Sequence, residues 1–181
     1  MPNLEGETAL VVVADAAEPA VARWRSTYDG SASAGIPAHV TLLYPFLPLA
    51  EVTPDVMRHV RRIVAAEPAF EVTFACLGRF SGSVLWLAPE PAEPFRRLTY
   101  ALWDAWPQTP PYGGLFEEVT PHLTVAEDAE PDVLDEITAE IAQALPLSMP
   151  VTHAQLLGVR DGRWTRQATF PLGPSGVDVS R

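Results

Sequence analysis

Hydrophobic positions along this chain fall into short strand-like runs and longer helical stripes. Thr8 to Ala14 is a β-branched run bounded by polar residues and predicts a buried strand. Asp15 to Pro19 carries helix-start chemistry ahead of Ala20 to Arg25, and Tyr28 to Gly35 predicts a flexible loop. Pro37 to Phe46 reads as a second buried strand. Alternation sends His39, Thr41 and Leu43 to one face, and Val40, Leu42 and Tyr44 to the other. Thr53 is an N-cap candidate, with Pro54 in the first turn of a helix to about Ala66. Phe70 to Leu77 alternates, with Phe70, Val72, Phe74 and Cys76 on its apolar face. Ser81-Gly82-Ser83 predicts a turn, Val84 to Ala88 a strand, and Ala92 to Ala105 a helix. A Pro/Gly-rich loop, Pro107 to Gly114, leads to the strand Pro121-His122-Leu123-Thr124-Val125, with His122 and Thr124 on one face. Pro131 to Leu145 is helical, with Val133, Leu134, Ile137, Ile141 and Leu145 in one stripe. Val151 to Val159 and Trp164 to Phe170 are strands joined by a turn at Arg160-Asp161-Gly162-Arg163.

The pattern repeats. Ala17-Glu18-Pro19 returns 75 residues later as Ala92-Glu93-Pro94, and His39/Thr41 returns after 83 as His122/Thr124. Pro54-Asp55-Val56 returns after 77 as Pro131-Asp132-Val133, and Leu77-Gly78 after 80 as Leu157-Gly158. Four matches in the same order argue for a duplicated unit. Two equivalent lobes would bring the two His-x-Thr strands together across a shared groove.

Composition narrows the class. With 181 residues, 48% hydrophobic and 19% charged, the chain suits one globular domain, expected over 1–173 with a flexible tail at 174–181. No run of about 18 apolar residues exists to span a membrane, and no basic, signal-like N-terminus, so a cytoplasmic protein is expected. Cys76 stands alone, and its apolar setting predicts a buried thiol. The net charge of −11 argues against a grip on long nucleic acid, which needs a basic footprint. A phosphate-bearing ligand would be small. The oligomeric state is not legible.

One His-x-Thr in a strand is most simply a satisfied histidine beside a β-former. Two copies at matching places in a repeat point instead to chemistry. Opening a phosphodiester needs one group to take a proton from the attacking oxygen and another to give one to the leaving oxygen. Imidazole suits both roles near neutral pH. Threonine hydroxyls can hold the non-bridging oxygens. Three histidines could also bind zinc, but no acidic residue shares the faces of His39 and His122, so neither a metal nor a cofactor is expected. His59 lies in an Arg-rich helical stretch and reads as surface, whereas His153 shares a strand face with Gln155 and is a candidate for ligand contact. Tyr112 and Phe116 are candidates to stack a base, Trp86 and Trp164 stack or belong to the core, and Arg166 is a candidate phosphate partner.

The paired motifs His39-Val40-Thr41 and His122-Leu123-Thr124, in a duplicated α+β chain of this size, resemble the 2H phosphoesterase superfamily. The likeness is to its bacterial 2′-5′ RNA ligase/cyclic phosphodiesterase branch and spans roughly residues 8–172. It implies a bilobal pair of antiparallel sheets flanked by helices around a central cleft. It also implies that His39 and His122 are the acid/base pair and that Thr41 and Thr124 bind phosphate. Some RNA-acting members carry a basic residue three positions after the second threonine, where this chain has Glu127. The expected activity is opening of a 2′,3′-cyclic phosphate or a similar small cyclic nucleotide phosphodiester. The alternatives are 2′-5′ RNA ligation on an RNA end and a non-catalytic module that binds a nucleotide phosphate.

Overall fold

The computed structural model describes residues 4–80, 83–115 and 118–175. Its strands form two four-stranded antiparallel sheets, in the orders β2-β1-β7-β8 and β5-β4-β3-β6. The first sheet contains β1 (Thr8–Val13), β2 (His39–Leu43), β7 (His153–Arg160) and β8 (Arg163–Pro171). The second contains β3 (Phe70–Phe80), β4 (Val84–Glu90), β5 (Leu123–Ala126) and β6 (Leu147–Val151). The helices are α1 (Glu18–Tyr28), the short α2 (Gly30–Ser33), α3 (Pro54–Ala66), α4 (Glu93–Ala105) and α5 (Pro131–Ala142).

The duplication is visible in this order. β1, β2 and β3 of the first half correspond to β4, β5 and β7 of the second. β1 and β4 sit at equivalent places beside the edge strands β2 and β5. The third strand of each half pairs in the opposite lobe: β3 lies between β4 and β6, and β7 lies between β1 and β8. The helices cross over too, α1 packing on β5 and α4 on β2.

Apolar stripes hold the layers together. α4 buries Phe95, Leu98 and Leu102, α5 buries Leu134, Ile137 and Ile141, and α3 buries Val60 and Val64. Each side chain of this kind contributes about 1.5–3 kcal/mol when fully buried. Thr53 caps α3 by accepting a hydrogen bond from the Val56 amide at 3.3 Å. β1 is apolar on both sides for a reason the run itself explains. Leu10 and Val12 enter the main core, whereas Ala9 and Val11 join a second cluster with Ile36, Leu157, Val159 and Trp164. That second cluster backs the cleft.

Several expectations need correction, the first of them because two ladders are interrupted. The β1–β2 register shifts between Leu10 and Val11, so Leu10 faces Leu43 while Val11 faces Thr41. Leu43 therefore joins the main core, and Tyr44 comes round to the face of His39 and Thr41. A second irregularity, between Phe74 and Cys76, leaves Ala75 and Cys76 both exposed, so the thiol is not buried. β6 falls largely between the predicted helix Pro131 to Leu145 and the predicted strand Val151 to Val159, and His122 lies just before β5 instead of inside it. The segment expected to be a flexible loop holds α2 and the buried Asp29. His59 is half-buried against Trp106, with ring centroids 4.9 Å apart. The expected tail lies outside the described residues from 176 onward.

Candidate active site

The sheets meet where their edge strands β2 and β5 lie next to one another. A cavity of about 360 Å³ opens there, with His39 and Thr41 from β2 and His122 and Thr124 beside and within β5. Period-two alternation puts each pair on the cavity face while Val40, Leu42, Leu123 and Val125 anchor the core behind.

Both imidazoles are held in the same way. His39 donates from Nδ1–H to the Pro37 carbonyl at 2.9 Å, and His122 from Nδ1–H to the Thr120 carbonyl at 2.7 Å. A carbonyl only accepts, so the proton of each neutral ring sits on Nδ1 and Nε2 is left for a ligand. Burial pushes His39 down from its ordinary value to about 4, the Pro37 hydrogen bond opposing it and the Arg25 charge adding to it. Burial also lowers His122, opposed by its bond to Thr120. The charge of His122 is felt at His39, which marks the two rings as neighbours in one electrostatic environment.

Aromatic rings position His122. Phe80 approaches it edge-on at 5.0 Å between centroids, Trp86 at 6.2 Å, and Tyr112 stacks on it at 6.1 Å and 26°. Phe80 and Trp86 stack on each other at 4.8 Å. Trp86 lies flat because Gly78 is opposite it on β3; a Cβ there would stand 2.3 Å from the indole. Tyr112 is fixed by its backbone: its amide donates to the Tyr44 carbonyl at 2.6 Å, and φ is +52°. Its phenol shares a hydrogen bond with the Thr41 hydroxyl, and burial raises its pKa.

A third group closes one end. Arg25, 1% exposed, donates from Nε to Asp29 at 2.9 Å and from both terminal nitrogens to the Ile36 carbonyl at 3.3 Å. This buried pair ties the end of α1 to the segment 29–36, whose Asp29, Gly30, Ser31, Ala34 and Ile36 line the cavity. Glu127 also lines it, and its amide is anchored to the Tyr28 carbonyl at 2.7 Å. Burial, then the charges of Asp29 and Asp128, raise the Glu127 pKa. Leu4, Ala9, Ile36, Tyr44 and Trp164 supply an apolar wall, with Tyr44 and Trp164 edge-to-face at 6.0 Å.

Of the residues singled out from the sequence, His39, Thr41, His122, Thr124 and Tyr112 meet at this cavity. Trp164 lines it and belongs to the second core cluster at once, while Trp86 stands behind His122. His153 does not line it: β1 separates its strand from β2, and its ring contacts Thr152 and Gln155. Arg166 is exposed on the edge strand β8, opposite Leu157, and does not line the cavity. Phe116 lies outside the described residues. Sequence reasoning missed the Arg25–Asp29 pair, whose only signal was an Arg/Asp spacing of four at the end of a helix. Among the described residues, no group of three or more His, Cys, Asp or Glu is arranged to hold a metal ion, and no helix is long and apolar enough to cross a membrane.

Comparison with known proteins supports this fold. "Putative phosphoesterase GK0864" of Geobacillus kaustophilus is 27% identical over 159 residues, covering 83% of this chain and 86% of that protein. Among solved structures, TT0787 of Thermus thermophilus superposes with a TM-score of 0.64 at 20% identity, covering 93% of this chain and 98% of that one. E. coli LigT, crystallised with NADP+, does so with a TM-score of 0.57 at 20% identity, covering 94% and 99%. These two share the fold of two antiparallel sheets with helices. The family model described as the 2′-5′ RNA ligase superfamily matches residues 13–163, and the chain belongs to that superfamily of 2H phosphoesterases.

Proposed function

We propose that the protein is a metal-independent phosphodiesterase that opens a 2′,3′-cyclic phosphate, or a similar small cyclic nucleotide phosphodiester, to a monoester. The observation that carries this reading is the pair of imidazoles, each with Nδ1–H tied to a backbone carbonyl and Nε2 left for one shared cavity, each with a threonine two residues on.

In this reaction one neutral Nε2 takes a proton from water as its oxygen attacks phosphorus. The protonated Nε2 of the other ring gives its proton to the departing ribose oxygen as the P–O bond breaks. The products are a phosphate monoester and a free hydroxyl, and the two rings have exchanged protonation states. Thr41 and Thr124 donate to the non-bridging oxygens, where negative charge is concentrated in the transition state. Because burial disfavours both imidazolium forms in the free protein, the bound phosphodiester anion supports the one protonated ring that the reaction needs. Crystals of E. coli LigT with 3′-AMP and with phosphate are in keeping with a nucleotide-sized phosphate ligand for this fold.

The test is a panel of 2′,3′-cyclic nucleotides incubated with the protein in EDTA, with the products separated chromatographically. Conversion to monoesters is expected. Binding without turnover would leave a nucleotide-phosphate binding module, and turnover that appears only when a divalent metal is restored would overturn the metal-free mechanism.

A further inference from the structure

The cavity proposed to hold a phosphodiester is short of positive charge. Its described lining contains two carboxylates, Asp29 and Glu127, and no Arg or Lys. Asp29 is neutralised by Arg25, whose donors are spent on Asp29, Ser31 and the Ile36 carbonyl inside the protein. Glu127 has no such partner among the described residues. The charges that act on it are those of Asp29 and Asp128, both negative, and they add to burial in holding its carboxyl above the ordinary carboxylate range. The rest of the wall is apolar or aromatic, from Leu4, Ala9, Ile36, Tyr44 and Trp164.

We propose that Glu127 is a specificity-determining residue that restricts the cavity to ligands in which the reacting phosphodiester is the sole anionic group. The proposal rests on the function argued above and narrows its substrate class to singly charged cyclic phosphodiesters on an otherwise neutral body. The reacting phosphodiester carries one negative charge, which two imidazoles and two hydroxyls can meet. A second phosphate drawn into a cavity of about 360 Å³ meets a carboxylate and, among the described lining residues, no cation beyond the one imidazolium that the reacting phosphodiester engages. In a partly desolvated site that repulsion is weakly screened. The same carboxylate can accept hydrogen bonds from sugar hydroxyls or base amino groups of a neutral body, so it selects without emptying the site.

The experiment compares adenosine 2′,3′-cyclic phosphate with the same molecule bearing a 5′-phosphate at about pH 8, on the alkaline side of the activity maximum, so that the Glu127 carboxyl, raised by burial, is ionised. For the unmodified protein, kcat/KM should favour the first by about tenfold or more at low ionic strength, and added salt should narrow the gap. Glu127→Gln should lower that ratio severalfold, and Glu127→Arg should bring it to about one or invert it. Glu136→Gln on the exposed face of α5 removes the same formal charge elsewhere and should leave the ratio as it was. This control separates a local effect from repulsion by a protein of net charge −11. Melting curves establish that the variants are folded. If neither compound is turned over, the function argued above fails, and dissociation constants for the same pair decide the selectivity. A ratio near one in the unmodified protein, or equal effects of Glu127→Gln and Glu136→Gln, overturns the proposal; so does failure to bind either compound.

Discussion

Gly78 has no contact with a ligand in the mechanism proposed, yet Gly78→Ala should cost activity. An ideal Cβ at this position stands 2.3, 2.6 and 2.6 Å from three carbons of the Trp86 indole. Carbon atoms pack at about 3.5–4.0 Å, so the ring must retreat by roughly 1 Å or the strands must part. Trp86 cannot move alone: it stacks on Phe80 and meets His122 edge-on, and Phe80 meets His122 at 5.0 Å. Its Nε1 is buried with no hydrogen-bond partner among the described residues, so packing is what holds the ring. Overpacking of this kind costs about 1–3 kcal/mol of stability, a fall of several degrees in Tm for a chain this long. A reacting imidazole misplaced by about 1 Å loses roughly 10²-fold in rate. The assay is kcat/KM on a 2′,3′-cyclic nucleotide beside thermal unfolding. Gly78→Ala/Trp86→Leu, which removes the carbons that Cβ would strike, should recover stability but not full rate, because the buttress of His122 is gone. Wild-type rate and Tm in Gly78→Ala would refute the account of how His122 is positioned.

Other expectations follow from the same geometry. His39→Ala or His122→Ala should each lower turnover by roughly 10²–10⁴-fold, and the double variant should cost less than the two effects combined, since both rings serve one proton-transfer sequence; wild-type rates in both single variants would end the paired-imidazole mechanism. The pH profile of kcat/KM, which reports the free protein, should be bell-shaped with its maximum between about 4, where His39 takes up its proton, and the ordinary 6.5, below which His122 titrates. Below that window no neutral base remains; above it no protonated acid remains, and a maximum above pH 8 would contradict the burial argument. Thr→Ser at 41 and 124 should do far less harm than Thr→Ala, whereas a purely structural role predicts Thr→Val as the mildest change; kcat for the three variants at each site separates these. Arg25→Ala should destabilise the protein by about 3–5 kcal/mol in denaturant unfolding, because it leaves the 5%-exposed Asp29 charged and unpaired.

Much of the cleft was legible in a period of two. His39 with Thr41 and His122 with Thr124 sit where alternation puts them because the core residues between them, Val40 and Leu123, are fully buried and fix the faces. Alternation fails where a ladder slips, which is why Leu43 and Tyr44 exchanged faces and why Cys76 is exposed. β6 escaped notice because Pro150 lies inside it; proline is tolerated there because β6 is the edge of its sheet, beside β3. The Arg25–Asp29 pair and the place of Glu127 depend on how α1 lies against β5, a long-range contact with no local sequence pattern. His153 and Arg166 lie on the expected strands but not at the cavity where they are expected to touch ligand, since strand order in a sheet is not written in the alternation of any one strand.

The exchange of third strands between the lobes has a consequence for how the chain can be assembled. Residues 8–80 hold β1, β2 and β3, but β3 finds both of its ladder partners in the second half of the chain. β7, from the second half, is likewise the neighbour of β1. Neither repeat can complete a sheet alone: β3 to β6 follow one another over residues 70–151, whereas the sheet of β1 and β2 waits for β7 and β8 near the end of the described chain. Chain order therefore favours the sheet of β3 to β6 forming first, and the β1–β7 ladder, which joins Thr8 to Gly158, spans the large sequence separation that folds slowly. A chain cut between Phe80 and Val84 would give two fragments that expose unpaired strands when separate and recover the cleft only when mixed. The two histidines, one from each fragment, would then report reassembly by restored turnover.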